Sequence, residues 1–284
     1  MNGLSQQKQI NQKASFKKIT FDIIKFSLPI IFGQIGMMLI GVGDVFIASK
    51  HGTETVAAIG VATGVVNPIF LFGIGLMMGI SPSMSIRRGA GEDTHGLLKS
   101  ALCYSFLAGL AITFLTLIVN LFVPHMGFKE EIVATIIEYI NIVAWSFPFA
   151  LMFQAVKEYL QSFEKVMLPN VIAIVAVFVN LGLNYIFVFG ALGFPPLGAK
   201  GLAYASLGIR LFQCFVLLYF VKDHLFEGKL SKAFITKTLK FSFNLYSKIF
   251  FISFIYSTFF TFNSSKICCS YFSNDSISKS EIYI

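Results

Sequence analysis

Asp44 is the residue whose position most clearly calls for a chemical role. It stands within "MMLIGVGDVFIASK" (residues 37–50), a stretch that is otherwise apolar and rich in glycine. A carboxylate at the centre of a membrane helix costs about 2.5–3.5 kcal/mol on insertion scales, and such groups typically hold ions or carry protons. Two other interpretations stay open: an aspartate at a helix end or at the membrane interface, and a simple ion pair with Lys50.

Two asparagines in a later apolar run could take part in the same chemistry. Asn180 and Asn184 are four residues apart, so a helix places them on one face. Amide oxygens, like carboxylates, are suitable ligands for a hard cation. The alternative for each is a hydrogen bond between neighbouring membrane helices, which is a common use of intramembrane asparagine.

The composition indicates that these residues belong to a membrane protein. Of the 284 residues, 56% are hydrophobic and only 13% are charged, whereas soluble domains are roughly 45–50% apolar with about a quarter charged. The net charge of +8 comes from bases that gather between the apolar runs, which predicts contact with lipid rather than nucleic acid. The histidines and cysteines lack metal-ligand spacing, so no cofactor is predicted.

The apolar runs are long enough to cross a bilayer. A spanning helix needs about 20 mainly apolar residues, and a seventh, less regular run at 234–262 follows six clear ones. The sequence therefore predicts an all-α polytopic membrane protein with a six-helix unit over residues 22–222. The six runs cover residues 22–48, 54–86, 97–123, 132–156, 167–189 and 200–221.

Lysine and arginine are unevenly distributed among the connecting segments. Most lie in the N-terminal segment 1–21, at the start of the first run and in the even-numbered loops, whereas the alternate loops hold one each. Cytoplasmic loops usually carry this excess. We therefore predict a cytoplasmic N-terminus, a cytoplasmic "RRGAGED" loop (87–93) and a cytoplasmic linker within 223–243. The predicted location is a cell membrane, most simply a bacterial inner membrane.

A short internal repeat suggests that a second unit begins after the sixth run. "DIIKFSLP" (22–29) is similar to "TKTLKFSF" (236–243), and membrane transporters are often built from such repeats. From Leu245 onward the chain has no Gly, Ala, Val or Pro. We expect residues 244–284 to be an out-of-frame tail that truncates the second unit; a genuine aromatic tail is the alternative.

The chain resembles the MATE (multidrug and toxic compound extrusion) family, in its NorM-type branch, from about residue 25 to 220. The motifs that carry the resemblance are "GVGDVFIASKHGTETVAAIGVA" (41–62), "FGIGLMMGISPSMSIRRGAGE" (72–92), "FPFALMFQAVKEYLQSFEKVMLPNVI" (147–172) and "VNLGLNYIFVFGALGFPPLGAKGLAYAS" (179–206). The family implies twelve helices in two six-helix lobes around a central cavity, of which this chain would hold the N-terminal lobe. It also implies export of drugs and organic cations in exchange for H⁺ or Na⁺.

The resemblance further implies that Asp44 meets Asn180 and Asn184 inside the lobe. This all-oxygen cluster would couple transport to a proton or to Na⁺, and cation uptake would change the bend of the first helix at Pro29. Other polar residues in the spans are candidates for the cavity lining, although each is also explained by packing. These residues are Gln34, Asn67, Tyr139, Gln154 and Arg210.

Three other functions are kept as alternatives. A membrane-embedded enzyme would need a motif such as HExxH or G-x-S-x-G, and the sequence contains none. A lipid-linked glycan flippase of related architecture would favour a cationic cavity, and Arg210 is the single residue that suggests one. An inactive N-lobe fragment that binds a cation without transport follows from the missing second lobe. Lys157, where relatives carry Arg, is a minor departure.

Overall fold

The computed structural model describes residues 2–94, 96–225 and 230–243. The predicted atypical tail at 244–284 lies outside these residues, as does most of the seventh apolar run. Within the described ranges the chain forms helices and connecting turns, and no strand occurs. The helices are α1 (Asn2–His51), α2 (Thr53–Met77), α3 (Ile80–Gly89), α4 (Leu97–Asn120), α5 (Glu130–Ala144), α6 (Phe147–Ser162), α7 (Met167–Phe189), α8 (Ala199–Phe220), α9 (Lys222–Leu225) and α10 (232–243).

The helices group into the six predicted membrane spans. Five segments are each long and apolar enough to cross a membrane, and α5 with α6 makes a sixth that is bent by 43°. This confirms the all-α polytopic class. The first helix is longer than its apolar run, because residues 2–21 continue α1 toward the N-terminus. The five segments are Ile23–His51, Thr53–Gly89, Leu97–His125, Met167–Phe189 and Ala199–Phe220.

Two of the spans are interrupted just before a proline. The break between α5 and α6 precedes Pro148, and the break between α2 and α3 precedes Pro82. Proline has no N–H, so in an unbroken helix Pro148 would leave the Ala144 carbonyl without its donor. The Thr113 hydroxyl of α4 donates to that carbonyl at 2.8 Å. The bend therefore keeps its backbone hydrogen-bonded inside the bilayer, as a membrane protein requires.

The seam between α1 and α7 is formed by glycines. A Cβ atom on Gly33 would collide with the Asn170 side chain, one on Gly36 would lie 3.4 Å from the Ala173 carbonyl oxygen, and one on Gly43 would lie 3.1 Å from a leucine of α7. Small residues let membrane helices approach this closely. The paired residue numbers increase together along both helices, so α1 and α7 run parallel, as the first and fifth spans must.

Helix α10 packs against the break between α2 and α3. Phe234, Thr238 and Ser242 are buried along its inner face. The Ser242 hydroxyl donates to the Leu76 carbonyl oxygen at 2.7 Å, and a Cβ on Gly79 would collide with this serine. The start of the predicted second unit thus packs against the six-helix lobe.

The outward faces of the helices are apolar, in keeping with a multi-pass membrane protein. Large side chains such as Met38, Phe114 and Phe178 are more than half exposed. The core lies on the opposite faces and draws residues from all six spans, among them Phe147, which is fully buried. The polar groups considered next lie between these inner faces.

Candidate functional site

Asp44 meets polar side chains from two other spans. The Asn184 Nδ2 atom donates to Asp44 Oδ1 at 2.6 Å, and the Ser206 hydroxyl faces Asp44 Oδ2 at 3.5 Å. Asn184 Nδ2 also reaches Asn180 Oδ1 at 3.1 Å. We call these four residues the Asp44 cluster. It joins α1, α7 and α8, so each carboxylate oxygen has a partner on a different helix.

The local sequence explains how a carboxylate fits between these helices. Gly43 precedes Asp44, and its missing side chain leaves room for α7, since a Cβ there would already lie 3.8 Å from Asn180 Oδ1. Asn180 and Asn184 are 0% exposed, Ser206 is 6% exposed, and Asp44 is partly exposed. The cluster therefore lies inside the lobe and keeps an opening on the Asp44 side.

Two polar atoms of the cluster lack a partner among the described residues. They are Asn180 Nδ2 and Asn184 Oδ1, both buried. A buried polar atom left without a hydrogen bond costs about 1–3 kcal/mol. The orphaned carbonyl oxygen of Asn184 beside a carboxylate, an amide oxygen and a hydroxyl is a donor set suited to a hard cation.

Arg210 lies close to the cluster and is held in a separate set of contacts. Its Nη1 atom donates to the Ser146 hydroxyl at 2.6 Å, at the break between α5 and α6. Its guanidinium carbon lies 4.5 Å from the Phe70 ring centroid and 5.3 Å from that of Phe147. These two rings stack with centroids 5.1 Å apart. We call this arrangement the Arg210 cage.

Tyr139 connects the two groups. It is 4% exposed and lies within hydrogen-bonding reach of Ser206. Asp44, Tyr139 and Arg210 are near enough for their charges and dipoles to interact. Among the described residues, Asp44 and Arg210 do not form a direct ion pair, so the opposite charges are neighbours without contact.

Three of the other residues predicted to line a cavity lie apart from the Asp44 cluster. Gln34 and Asn67 are exposed at the surface of the lobe. Gln154 Nε2 donates to Glu158 Oε1 at 2.9 Å, one turn further along α6. The structure records no contact between these residues and the cluster in the described part of the chain, and their role as cavity lining stays a prediction.

The predicted hinge and the alternative partner of Asp44 are both placed on α1. Helix α1 runs without interruption through Pro29, so a hinge there stays a prediction. Lys50 lies with its Nζ atom 5.2 Å from the Phe46 ring centroid. Asp44 instead bonds to Asn184 and Ser206, so the interpretation as a simple ion pair with Lys50 is wrong for this structure.

Sequence reasoning missed Ser206 and Ser146. Ser206 precedes Arg210 by four residues on α8, which places both on one helix face. That spacing was the available signal for Ser206. Ser146 gave no such signal, because its role depends on the break between α5 and α6, which a continuous apolar run does not reveal.

Comparison with known proteins assigns the fold to a family. The MatE family model matches residues 29–186, which is more than half of the chain. The chain belongs to the MatE family. The matched range includes Asp44, Asn180 and Asn184 and ends before Ser206 and Arg210 on α8.

Named relatives are multidrug resistance proteins. The chain is 25% identical to NorM of Vibrio cholerae over 209 residues, which cover 72% of this chain and 46% of the relative. It is 25% identical to MdtK of Cronobacter sakazakii, with 70% of this chain and 44% of the relative covered. The chain thus spans about half the length of the curated relatives it matches, and it corresponds to their N-terminal half.

Solved structures of the same family share the fold. An outward-facing multidrug resistance MATE family transporter of the MOP superfamily superposes with a TM-score of 0.67 at 24% identity, covering 76% of this chain and 49% of that chain. A crystal structure of MATE in complex with MaD3S gives 0.67 at 25% identity, covering 78% and 51%. These matches confirm a six-helix lobe that forms one half of a MATE-type fold.

Proposed function

We propose that this chain supplies the N-terminal lobe of a secondary multidrug transporter. In this proposal the transporter exports cationic or amphipathic organic compounds in exchange for H⁺ or Na⁺, and the Asp44 cluster binds the coupling ion. The observation that carries the proposal is the meeting of Asp44, Asn184 and Ser206 from three different spans. The N-terminus would face the cytoplasm of a bacterial cell, and no organic cofactor would be needed.

The cluster can satisfy both protonation states of Asp44. A charged carboxylate accepts hydrogen bonds from the Asn184 amide and from the Ser206 hydroxyl, which are 2.6 and 3.5 Å away. A protonated Asp44 would donate its own O–H instead, and a serine hydroxyl can turn to accept it. Asn184 would continue to donate to the other oxygen. Proton loading would therefore cancel a charge without leaving a broken hydrogen bond.

The same residues can hold Na⁺ after one local rotation. Asn184 presents its N–H group to Asp44, while its carbonyl oxygen is buried without a partner in the described chain. Turning this amide over would bring its oxygen toward the carboxylate. Asp44, Asn180 and Asn184 would then offer carboxylate and amide oxygens, with the Ser206 hydroxyl as a fourth ligand, in the manner that hard cations prefer.

Cation binding would act on the α1–α7 seam. Asp44 approaches α7 and α8 only because Gly33, Gly36 and Gly43 let α1 lie against α7. Adding a cation or a proton changes the attraction between Asp44 and these helices. We propose that α1 responds by changing its bend at Pro29, which would release a bound substrate on the outer side.

The coupling-ion role can be tested on the purified chain in lipid nanodiscs. We expect Na⁺, or a fall in pH, to raise the midpoint of thermal unfolding, because a ligand that binds only the folded state stabilises it. Asp44→Asn should abolish the response to that ion. Asp223→Asn makes the same substitution at an exposed position of α9 and should leave the response unchanged. An Asp44→Asn protein that keeps the full response would refute the role.

Transport itself is tested by efflux of ethidium from cells. One strain expresses this chain alone, and a second expresses it joined in frame to the second half of NorM from Vibrio cholerae. We expect the joined protein to lower the intracellular dye in an Asp44-dependent manner. A joined protein that extrudes ethidium equally well with Asp44→Asn would contradict the mechanism.

A second candidate function is an N-lobe that binds a cation without transporting anything. It is favoured by the observation that Asp44, Asn184 and Ser206 all belong to this lobe, so the cluster is assembled without residues from a second one. Ion-dependent stabilisation of the purified chain, together with no dye efflux from the strain that expresses it alone, would select this candidate. Efflux by the short chain alone would indicate that two copies form the cavity. The flippase alternative stays a prediction.

A further inference from the structure

Arg210 is a charged residue inside the membrane lobe. None of the described carboxylates forms a direct ion pair with its guanidinium. The structure records one hydrogen bond for its guanidinium, to Ser146, among the residues described. A guanidinium has five N–H donors and always carries its charge. Ionisable residues inside membrane proteins usually mark the path of a substrate or an ion. The Arg210 cage therefore has binding capacity beyond its own contacts.

The geometry of the cage leaves the guanidinium able to receive a ligand. Phe70 and Phe147 pack against Arg210, Ser146 occupies one donor atom, and the side chain stays partly exposed. Among the described residues, the carboxylate that acts on Arg210 electrostatically is that of Asp44, whose two oxygens face Asn184 and Ser206. Asp44 is thus engaged elsewhere, and the remaining donors of Arg210 have no carboxylate in ion-pair contact within the described chain.

We propose that the Arg210 cage is an anion subsite that binds the carboxylate of an amphipathic aromatic substrate. A planar guanidinium matches the two oxygens of a carboxylate, and the neighbouring Phe70 and Phe147 provide apolar surface for an aromatic ring. A substrate that also carries an amine would place its two charges along the line from Arg210 to Asp44. The inference rests on the proposed function and adds acidic and zwitterionic aromatic compounds to the cationic ones that the transporter would carry.

A purely structural role for Arg210 predicts a different result. If the guanidinium only braced the break between α5 and α6 through Ser146, its loss would lower stability without changing which ligands bind. A subsite instead changes the ratio of affinities for two probes that differ only in charge. The experiment therefore has to measure that ratio and the folded state of each variant.

The probes are 2-naphthoate and 2-naphthamide, which share a ring and differ in the carboxylate. Their dissociation constants are measured by equilibrium dialysis against the full 284-residue chain in phosphatidylcholine nanodiscs, with empty nanodiscs subtracted. We expect the naphthoate to bind about tenfold more tightly, the ratio that one charge-assisted hydrogen bond typically provides. Arg210→Gln should bring the ratio to about one. Arg210→Lys should retain part of it, because lysine keeps the charge but lacks the planar pair of N–H donors that matches a carboxylate.

Arg88→Gln is the matched control. Arg88 also lies over an aromatic ring, that of Phe163 at 5.4 Å, and donates to a backbone carbonyl, but it lies at the end of α3, outside the cage. Its ratio should equal that of the wild type. If Arg210→Gln does not fold, the wild-type ratio and Arg210→Lys decide the question.

Equal binding of the two probes by the wild type, or an unchanged ratio in a folded Arg210→Gln protein, would overturn the proposal. Either result, together with an Asp44-dependent response to Na⁺ or pH, would remove the anion subsite and leave the coupling-ion proposal standing. A carboxylate preference that depends on Arg210 in a protein with no Asp44-dependent response would support the subsite and refute the coupling ion.

Discussion

The lobe holds two charged side chains in contrasting surroundings. Asp44 has an amide and a hydroxyl as neighbours, on two helices that approach α1 across a glycine seam. Arg210 has two aromatic faces and one hydroxyl, at the break of a bent span. An amide that can rotate and a hydroxyl that can exchange a proton suit a carboxylate whose charge changes with proton or cation binding. Aromatic faces suit a charge that is constant, because their attraction for a cation needs no proton transfer.

The contrast extends to the backbone that positions each group. Helix α1 passes through Pro29 without a break, whereas the fourth span is broken before Pro148. The α1–α7 seam depends on glycines, whose lack of a side chain lets the two helices approach closely. The bend depends on Thr113, which replaces a donor that proline lacks. The two regions should therefore respond to different kinds of substitution.

The largest effect is expected at the α1–α7 seam. Gly33→Ala would drive a methyl group into Asn170, and overpacking of this kind costs about 1–3 kcal/mol. Gly41→Ala is the matched control on the same helix, since a Cβ there meets nothing within 4 Å. Its substitution should be neutral or slightly stabilising. Unfolding of the purified proteins, followed by circular dichroism, measures both changes. Equal stability of the two variants would mean that close approach at Gly33 does not hold the seam together.

The next effect concerns the bend. Thr113→Val keeps the shape of the side chain but removes the donor to the Ala144 carbonyl, and an unsatisfied buried acceptor costs about 1–3 kcal/mol. We expect a corresponding loss of stability and a change in the emission of Trp145, the single tryptophan, which lies at the break. Thr63→Val is a suitable comparison, because the Thr63 hydroxyl donates to the Ile59 and Gly60 carbonyl oxygens of its own helix. A similar response from both variants would show that the donor from α4 is not required.

The smallest effect is expected within the Asp44 cluster. Ser206 faces Asp44 Oδ2 at 3.5 Å, which is a long hydrogen bond. Ser206→Ala should therefore lower the ion affinity of the purified chain by about threefold to tenfold. The ion should still raise the midpoint of thermal unfolding. Ser105→Ala is the control, because the buried Ser105 hydroxyl donates to the Leu102 carbonyl oxygen of its own helix, α4. A complete loss of the response with Ser206→Ala would make this hydroxyl as important as the carboxylate.

The number and type of the spans could be predicted from the sequence because they depend on run length. Each run was long enough to cross the bilayer, and lipid requires the backbone to be hydrogen-bonded within its own helix. The kinks were less predictable. Pro29 and Pro68 lie inside unbroken helices, while the spans break before Pro82 and Pro148. Whether a proline breaks a span depends on the packing and on the donors that neighbouring helices provide.

The candidate site divides in the same way. The sequence by itself determined that Asp44 needs a partner, that Asn180 and Asn184 share a helix face, and that the chain has a MATE-type pattern. Only the tertiary structure showed that Ser206 faces the carboxylate and that Phe70, Ser146 and Phe147 surround Arg210. Helix period fixes which residues of one helix lie together. Which helices meet is decided by close approach at glycines and by the bend of a span, and neither follows from periodicity.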